Sequence, residues 1–255
     1  MPGTSRDEFL DNISKALGRS GPTERPDYVP LRVQPDLQRQ KVVTIEARAQ
    51  ARRTELVEQL CRTASQSGWL VHRAATPEVA VAYIVSVARK QGAGLVVRSN
   101  HELLSRLPLD SALRKQGARV TTVATSRSIT REQLRDEMAQ ADMGVTGVDY
   151  AIAETGTCVL VPRQGVSRLV SLLPRLHVAV VETHQVYETL DDLFALRRLA
   201  YLRGDGDMGS YLSLITGPSR TADIEQTLVT GVHGPVETHM VVLDALAQAE
   251  PSTST

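Results

Sequence analysis

Two cysteines, Cys61 and Cys158, are all that this 255-residue chain carries, and they lie far apart in the sequence. That pair supplies neither a disulfide framework nor the ligand set of a metal centre or an iron–sulfur cluster. The expectation is a chain with no metal and no cofactor of its own. An excess of charge is missing too: Lys and Arg total 29 against 29 Asp and Glu, a formal net charge of zero. Nothing in that balance points to nucleic acid or to a membrane surface, so any steering of a ligand has to be local. No apolar run approaches the ~20 residues a membrane span needs. The polar amino terminus MPGTSRDEFLDN lacks the apolar stretch of a secretory signal, and a cytoplasmic protein is expected. Neither a Walker loop nor a GxGxxG fingerprint is present to suggest a nucleotide fold.

What is there is regular. Ser5 and Glu8 make a capping-box pattern, and Phe9, Leu10, Ile13, Ala16 and Leu17 recur at helical spacing, predicting an amphipathic helix over residues 6 to 17. The proline-punctuated RSGPTERPDYVPLRVQPDLQRQ reads as a linker or extended arm, so residues 1 to 40 form an appendage. Residues 41 to 245 form the body and residues 246 to 255 a fraying tail. Within the body, a long helix to Ser67 precedes WLVHRA, GLVVRS and ARVTTVA, three strand signals separated by helical stretches, one opened by Thr76 and Pro77. The box Thr130 to Gln133 announces another helix. Alternation of this kind predicts an α/β fold, a mostly parallel sheet with helices on both faces. After residue 141, ADMGVTGVDYAIAETGTCVLVP reads as closely spaced strands and turns. HVAVVE is a buried-strand candidate, TLDDLFALRRLAYL is helical, and YLSLI, a helix at ADIEQTLVTG and THMVVLD complete the body.

Three stretches have the residue types for chemistry. In ITGPSRTADIE an apolar run breaks at Gly217 and restarts through Ser219. If a helix follows, free N–H groups and the positive end of its dipole meet at one spot, with Ser219 or Thr221 as cap and Arg220 as added charge. That would hold a phosphate or carboxylate; without a ligand, the same residues are a well-capped turn. In GVTGVDYAIAETGT, Asp149 and Glu154 lie beside Gly144, Gly147, Gly156 and Thr157. A carboxylate interrupting an apolar strand must be bonded, paired or facing a cleft, because burying it bare costs several kcal/mol. Glu154 is therefore a candidate base or nucleophile, or a structural carboxylate bonded to turn amides. His233, between two glycines in GVHGP, is a candidate acid or base, and equally a turn-filling residue. Gln164 and Arg168, at a loop-to-helix junction, are candidates to line the same cleft.

The series FLDNISKALGR, GVTGVDYAIAETGT, SLLPRLHVAVVE and ITGPSRTADIEQTLVTGVHGP, in that order, resembles the LUD-domain family. The likeness covers the first helix and nearly all of residues 141 to 243, while the middle fits in pattern only. It implies a fold like that of the NagB, RpiA and coenzyme A transferase group, with ligands at Gly-rich turns beyond strand ends. It also implies a part in oxidising L-lactate to pyruvate beside two iron–sulfur partner proteins, with this chain the cluster-free component that binds a small carboxylate or other anionic ligand. In the related coenzyme A transferases a glutamate near a glycine attacks the acyl group, and Glu154 is the similar position here. No coenzyme A recognition segment is visible. Two alternatives stay open: a transferase- or sugar-phosphate-isomerase-like enzyme using Glu154, and a non-catalytic assembly or regulatory subunit. A homo-oligomer is also left open.

Overall fold

The computed structural model describes residues 5–18, 34–123, 130–204, 211–224 and 227–244. The arm at 19–33 and the tail at 246–255 lie outside them. The chain divides into two units, Met1–Gln34 and Pro35–Thr255.

In the first unit α1 (Arg6–Ala16) starts where the capping pattern places it, with the Ser5 hydroxyl accepting the Glu8 N–H at 3.2 Å. Phe9, Leu10, Ile13 and Leu17 are exposed.

The second unit is built on a six-stranded parallel sheet in the order β1-β12-β7-β4-β2-β3. Its strands are β1 (Leu70–Ala74), β2 (Leu95–Ser99), β3 (Arg119–Val123), β4 (Met143–Gly147), β7 (Leu176–Glu182) and β12 (Glu237–Leu243). Every residue of β4 and β7 is buried. Such uninterrupted burial is what a parallel sheet covered on both faces demands of its central strands. The helices α4 (Pro77–Lys90), α5 (Glu102–Ser105) and α6 (Leu109–Lys115) cover one face, packing Ile84, Leu103 and Leu113 onto Val96, Val145, Val178 and Val241. On the other face α3 (Arg53–Gln66) packs Leu56 and Leu60 against Ala179, Val181, Met240 and Val242.

A second sheet shares that face. It comprises β5 (Tyr150–Ile152), β6 (Thr157–Leu160), β8 (Val186–Tyr187) and β9 (Ser213–Ile215), in the order β8-β5-β6-β9. The short strands read between residues 141 and 162 are therefore real, and they divide between the two sheets. Toward the β3 edge, α7 (Arg131–Gln140) and α8 (Leu169–Leu172) complete the cover with Leu134, Met138 and Val170. The Thr130–Gln133 capping box that opens α7 is fully formed.

The long helix to Ser67 is instead two helices. The backbone turns at Arg52, and α2 (Pro35–Ala51) diverges from α3 to pack on α9 (Leu190–Arg203). The Arg48–Asp192 contact (2.6 Å) and the Arg52–Glu188 contact (2.7 Å) fix that bend from both sides. Residues 35 to 40, which composition assigns to the arm, are helical, and the buried Gln38 amide donates to the Ala195 carbonyl at 2.7 Å. The helix expected at ADIEQTLVTG is absent. Its place is taken by the antiparallel strands β10 (Arg220–Ile224) and β11 (Thr227–Thr230). Thr221, Ile224, Thr227, Val229 and Thr230 are β-branched, so the segment suits a pleated ribbon better than a helix. Backbone bonds from Gly231 N–H to the Ser219 carbonyl (2.9 Å) and from Ser219 N–H to the Pro235 carbonyl (3.0 Å) close its base.

Candidate anion-binding site

The connections of the large sheet single out one place. From β2 the chain moves outward to β3, then returns past β2 to lay β4 on its other side. The carboxyl ends of β2 and β4 thus flank a topological switch point, where open α/β sheets leave a crevice for ligands.

Three polar residues meet there. His101 follows the end of β2 and is 6% exposed. Its Nδ1 accepts the Leu103 N–H at 3.2 Å, which puts the ring proton on Nε2, 3.5 Å from Asp149 Oδ1. Gly147 makes room for the ring, since a Cβ there would lie 2.4 Å from His101 Nδ1. Asp149, just beyond β4, accepts the Val161 N–H at 2.7 Å through Oδ2 and the Arg163 guanidinium at 2.8 Å through Oδ1. Burial pushes the Asp149 carboxyl up, but the His101 proton, the Val161 amide and the Arg163 charge outweigh it, leaving the group below its ordinary value. The loop after β6 is pressed onto the end of β2: Gly165 has φ +79°, its carbonyl accepts the Asn100 N–H at 2.8 Å, and a Cβ there would lie 2.8 Å from Asn100 Cβ.

Beyond Arg163 the crevice widens into a cleft of about 430 Å³, lined among others by Arg135, Arg163, Gln164, Arg168 and Tyr211. The Arg168 guanidinium lies 4.8 Å over the Tyr211 ring. At the end of β7, the buried Glu182 takes an Arg106 contact at 2.6 Å. The Gln185 amide ties that end to the Val148 carbonyl at 2.6 Å.

Asp149, Gln164 and Arg168 are thus the sequence candidates that this crevice brings together. Glu154 is elsewhere. It sits in the tight turn between β5 and β6, exposed, where Oε1 accepts the N–H of Leu190, the first residue of α9, at 2.8 Å. Of its two sequence readings, base or nucleophile in a cleft and structural carboxylate bonded to backbone amides, the first needs a cleft that Glu154 would face. It does not face one, because the turn is pressed onto α3: Gly156 has φ +68°, and a Cβ there would lie 2.4 Å from the Ala64 nitrogen. The carboxylate is thereby turned toward the N-terminus of α9, whose partial positive charge suits it. Thr157 is buried in a hydroxyl chain, 2.7 Å from both Thr155 and Thr216.

The turn at Gly217, Ser219, Arg220 and Thr221 lies at the amino-terminal ends of the strands, far along the sheet axis from Asp149. Gly217, with φ +87°, passes so close to the end of α3 that a Cβ would lie 2.2 Å from the Ser67 carbonyl oxygen. The Ser219 hydroxyl accepts the backbone N–H of His233 at 3.2 Å, and Thr221 pairs with Val229 in the ribbon. With no helix after it, the turn has no row of free N–H donors and no dipole. His233 is exposed and meets the turn through its backbone. Sequence reasoning missed His101, Arg135 and Arg163. The signal available was a histidine immediately after the buried run of β2, where a polar residue ends a strand at the crevice side.

Both oxygens of Asp149 and Nδ1 of His101 are committed to hydrogen bonds, so Asp149 orients Arg163 rather than offering a free base. The cleft rim is cationic, with no carboxylate among its described lining residues.

An open parallel sheet covered by helices on both faces, with an arginine-rimmed crevice at its switch point, defines an α/β protein. Residues 57–243 match the LUD domain, and the chain belongs to that family. It is similar to a lactate utilization protein C of Shouchella clausii, 32% identical over 94% of this chain and 98% of that protein. It is likewise similar to one of Bacillus pumilus, 30% identical over 96% and 99%. A lactate utilization protein B of Bacillus pumilus is 28% identical over 73% of this chain, which spans only 47% of that longer protein. Among solved structures, a DUF162 family protein from Deinococcus radiodurans shares the fold with a TM-score of 0.50 at 22% identity, over 75% of this chain and 98% of that one.

Proposed function

We propose that this protein is a component of a lactate-utilization system oxidising L-lactate to pyruvate, and that it contributes by binding an anionic ligand at the switch-point crevice. The observation that carries the pathway is the end-to-end similarity to proteins named lactate utilization protein C. Lactate oxidation releases two electrons that need carriers. Cys158 is fully buried and burial pushes its thiol well up, while Cys61 stands alone on α3 and is raised by its own burial, so this chain offers no thiolate cluster site. The resemblance to the LUD-domain family implies that the carriers are iron–sulfur partner proteins. The similarity to a lactate utilization protein B supports a relative of that protein as one of them. Among the described residues no helix is long and apolar enough to cross a membrane, which fits the cytoplasmic setting proposed here.

The geometry favours a binding role over a covalent mechanism through Glu154, whose carboxylate caps α9 outside the crevice. The test is reconstitution. Purified chain and partners are assayed for lactate-dependent dye reduction, each omitted in turn. Loss of reduction when this chain alone is left out supports the reading, and undiminished reduction without it ends the proposal.

A further inference from the structure

We propose that the cleft beside Arg163 takes an organic anion with an apolar body, larger than lactate, its charged head held between Arg135 and Arg168. This rests on the reading of the crevice as an anion site and adds what kind of anion fits. The cleft has two unlike parts. Its floor is apolar: Val123, Leu134 and Met138, at the end of β3 and along α7, are buried, and Leu169 is half-buried beside them. Its rim is cationic. Arg135 and Arg168 come from different elements, α7 and the loop before α8, are exposed, and have no carboxylate partner among the described residues. Arg163, the third cation of the rim, is already held by Asp149.

Two guanidinium forks on separate walls suit one head group bearing several oxygens, which accepts charge-assisted bonds from both sides. Lactate satisfies only that half of the description. It displaces roughly four waters at ~30 Å³ each, a small part of the cleft of about 430 Å³, and has only a methyl group to set against the floor. A body of aromatic or branched aliphatic carbon would cover Leu134, Met138 and Leu169. The Tyr211 ring, whose one face carries Arg168, supplies a flat wall for it.

Calorimetric titration of the full chain separates head from body. Lactate and inorganic phosphate are heads alone; phenyllactate and phenyl phosphate carry the same heads on an aromatic body. Each phenyl-bearing anion is expected to bind at least ~10-fold more tightly than its bare head. Arg135→Gln and Arg168→Gln are each expected to weaken that binding by a similar factor with unchanged melting, while Arg220→Gln at the distant ribbon leaves it intact. Whether phenyllactate or phenyl phosphate binds better identifies the head. Bare heads binding as well as the phenyl-bearing anions would overturn the apolar-body inference and leave the anion site standing. Binding indifferent to both arginine substitutions, or absent for every anion, would overturn both.

Discussion

Asp149 keeps its charge against its own burial, and the pH dependence of folding should show it. Its carboxyl is held below the ordinary value by His101, Val161 and Arg163 despite the opposing desolvation. A carboxyl depressed in the folded state contributes stability above its unfolded value of ~3.9, and that contribution is lost as pH falls through the lower folded value. Asp149→Asn should therefore cost roughly 1 to 3 kcal/mol at neutral pH and flatten the acid limb of a urea-unfolding series between pH 2 and 6. His177 gives a second limb. Burial, with a smaller push from His239, drives its imidazole down to about 3. The folded state keeps it neutral, so its contribution is complete above the unfolded value of ~6.5 and declines below it by at most about 1.4 kcal/mol per pH unit. His177→Gln should remove that slope between pH 6 and 4, and an unchanged slope would contradict the assignment. Glu154 reads differently at this scale. An exposed carboxylate accepting one helix N-terminal N–H is worth about 0.3 to 1 kcal/mol, so Glu154→Gln should shift melting only slightly and leave turnover per folded molecule unchanged.

Elements show why some of the fold is legible in the sequence and some is not. The alternation through WLVHRA, GLVVRS and ARVTTVA is visible because each strand, the partly exposed edge strands β1 and β3 included, is a short run separated from the next by a helical stretch. The segment after Ser219 misleads because Ile224 and Leu228 also fit a helical period, whereas the contacts that decide it come from Pro235 and Val229, distant from Ser219 and Thr221 in sequence. Without the helix the anion argument for Gly217, Ser219, Arg220 and Thr221 loses its donors. The break at Arg52 is hidden for a related reason: it is set by Glu188 and Asp192, which lie far away along the sequence. Two substitutions test these placements. Gly217→Ala puts a Cβ onto the Ser67 carbonyl at a positive φ and should cost at least ~2 kcal/mol by thermal or urea unfolding. Gln38→Ala leaves the Ala195 carbonyl without its buried donor and should cost roughly 1 to 3 kcal/mol. A neutral result would return residues 35 to 40 to the arm.

For the whole molecule, the sheet connectivity sorts the candidates better than residue type does. Asp149 and Glu154 lie five positions apart in sequence, yet β5 carries them to opposite ends of the smaller sheet, one at the crevice and the other at α9. Arg163 reaches Asp149, and Gln164 and Arg168 line the cleft beside it, because the loop after β6 folds back over the end of β2. On the function proposed above, the crevice serves lactate oxidation through Arg163, the arginine that Asp149 fixes. Arg163→Gln and Glu154→Gln, compared in one reconstituted lactate-dependent dye-reduction assay, decide between the crevice and the α9 turn as the working site. Arg163→Gln is expected to lower the rate per folded molecule at least ~10-fold, and Glu154→Gln to run at the parent rate. The reverse pattern, full rate with Arg163→Gln and a collapse with Glu154→Gln, would move the working site to the turn that caps α9 and rule out the crevice.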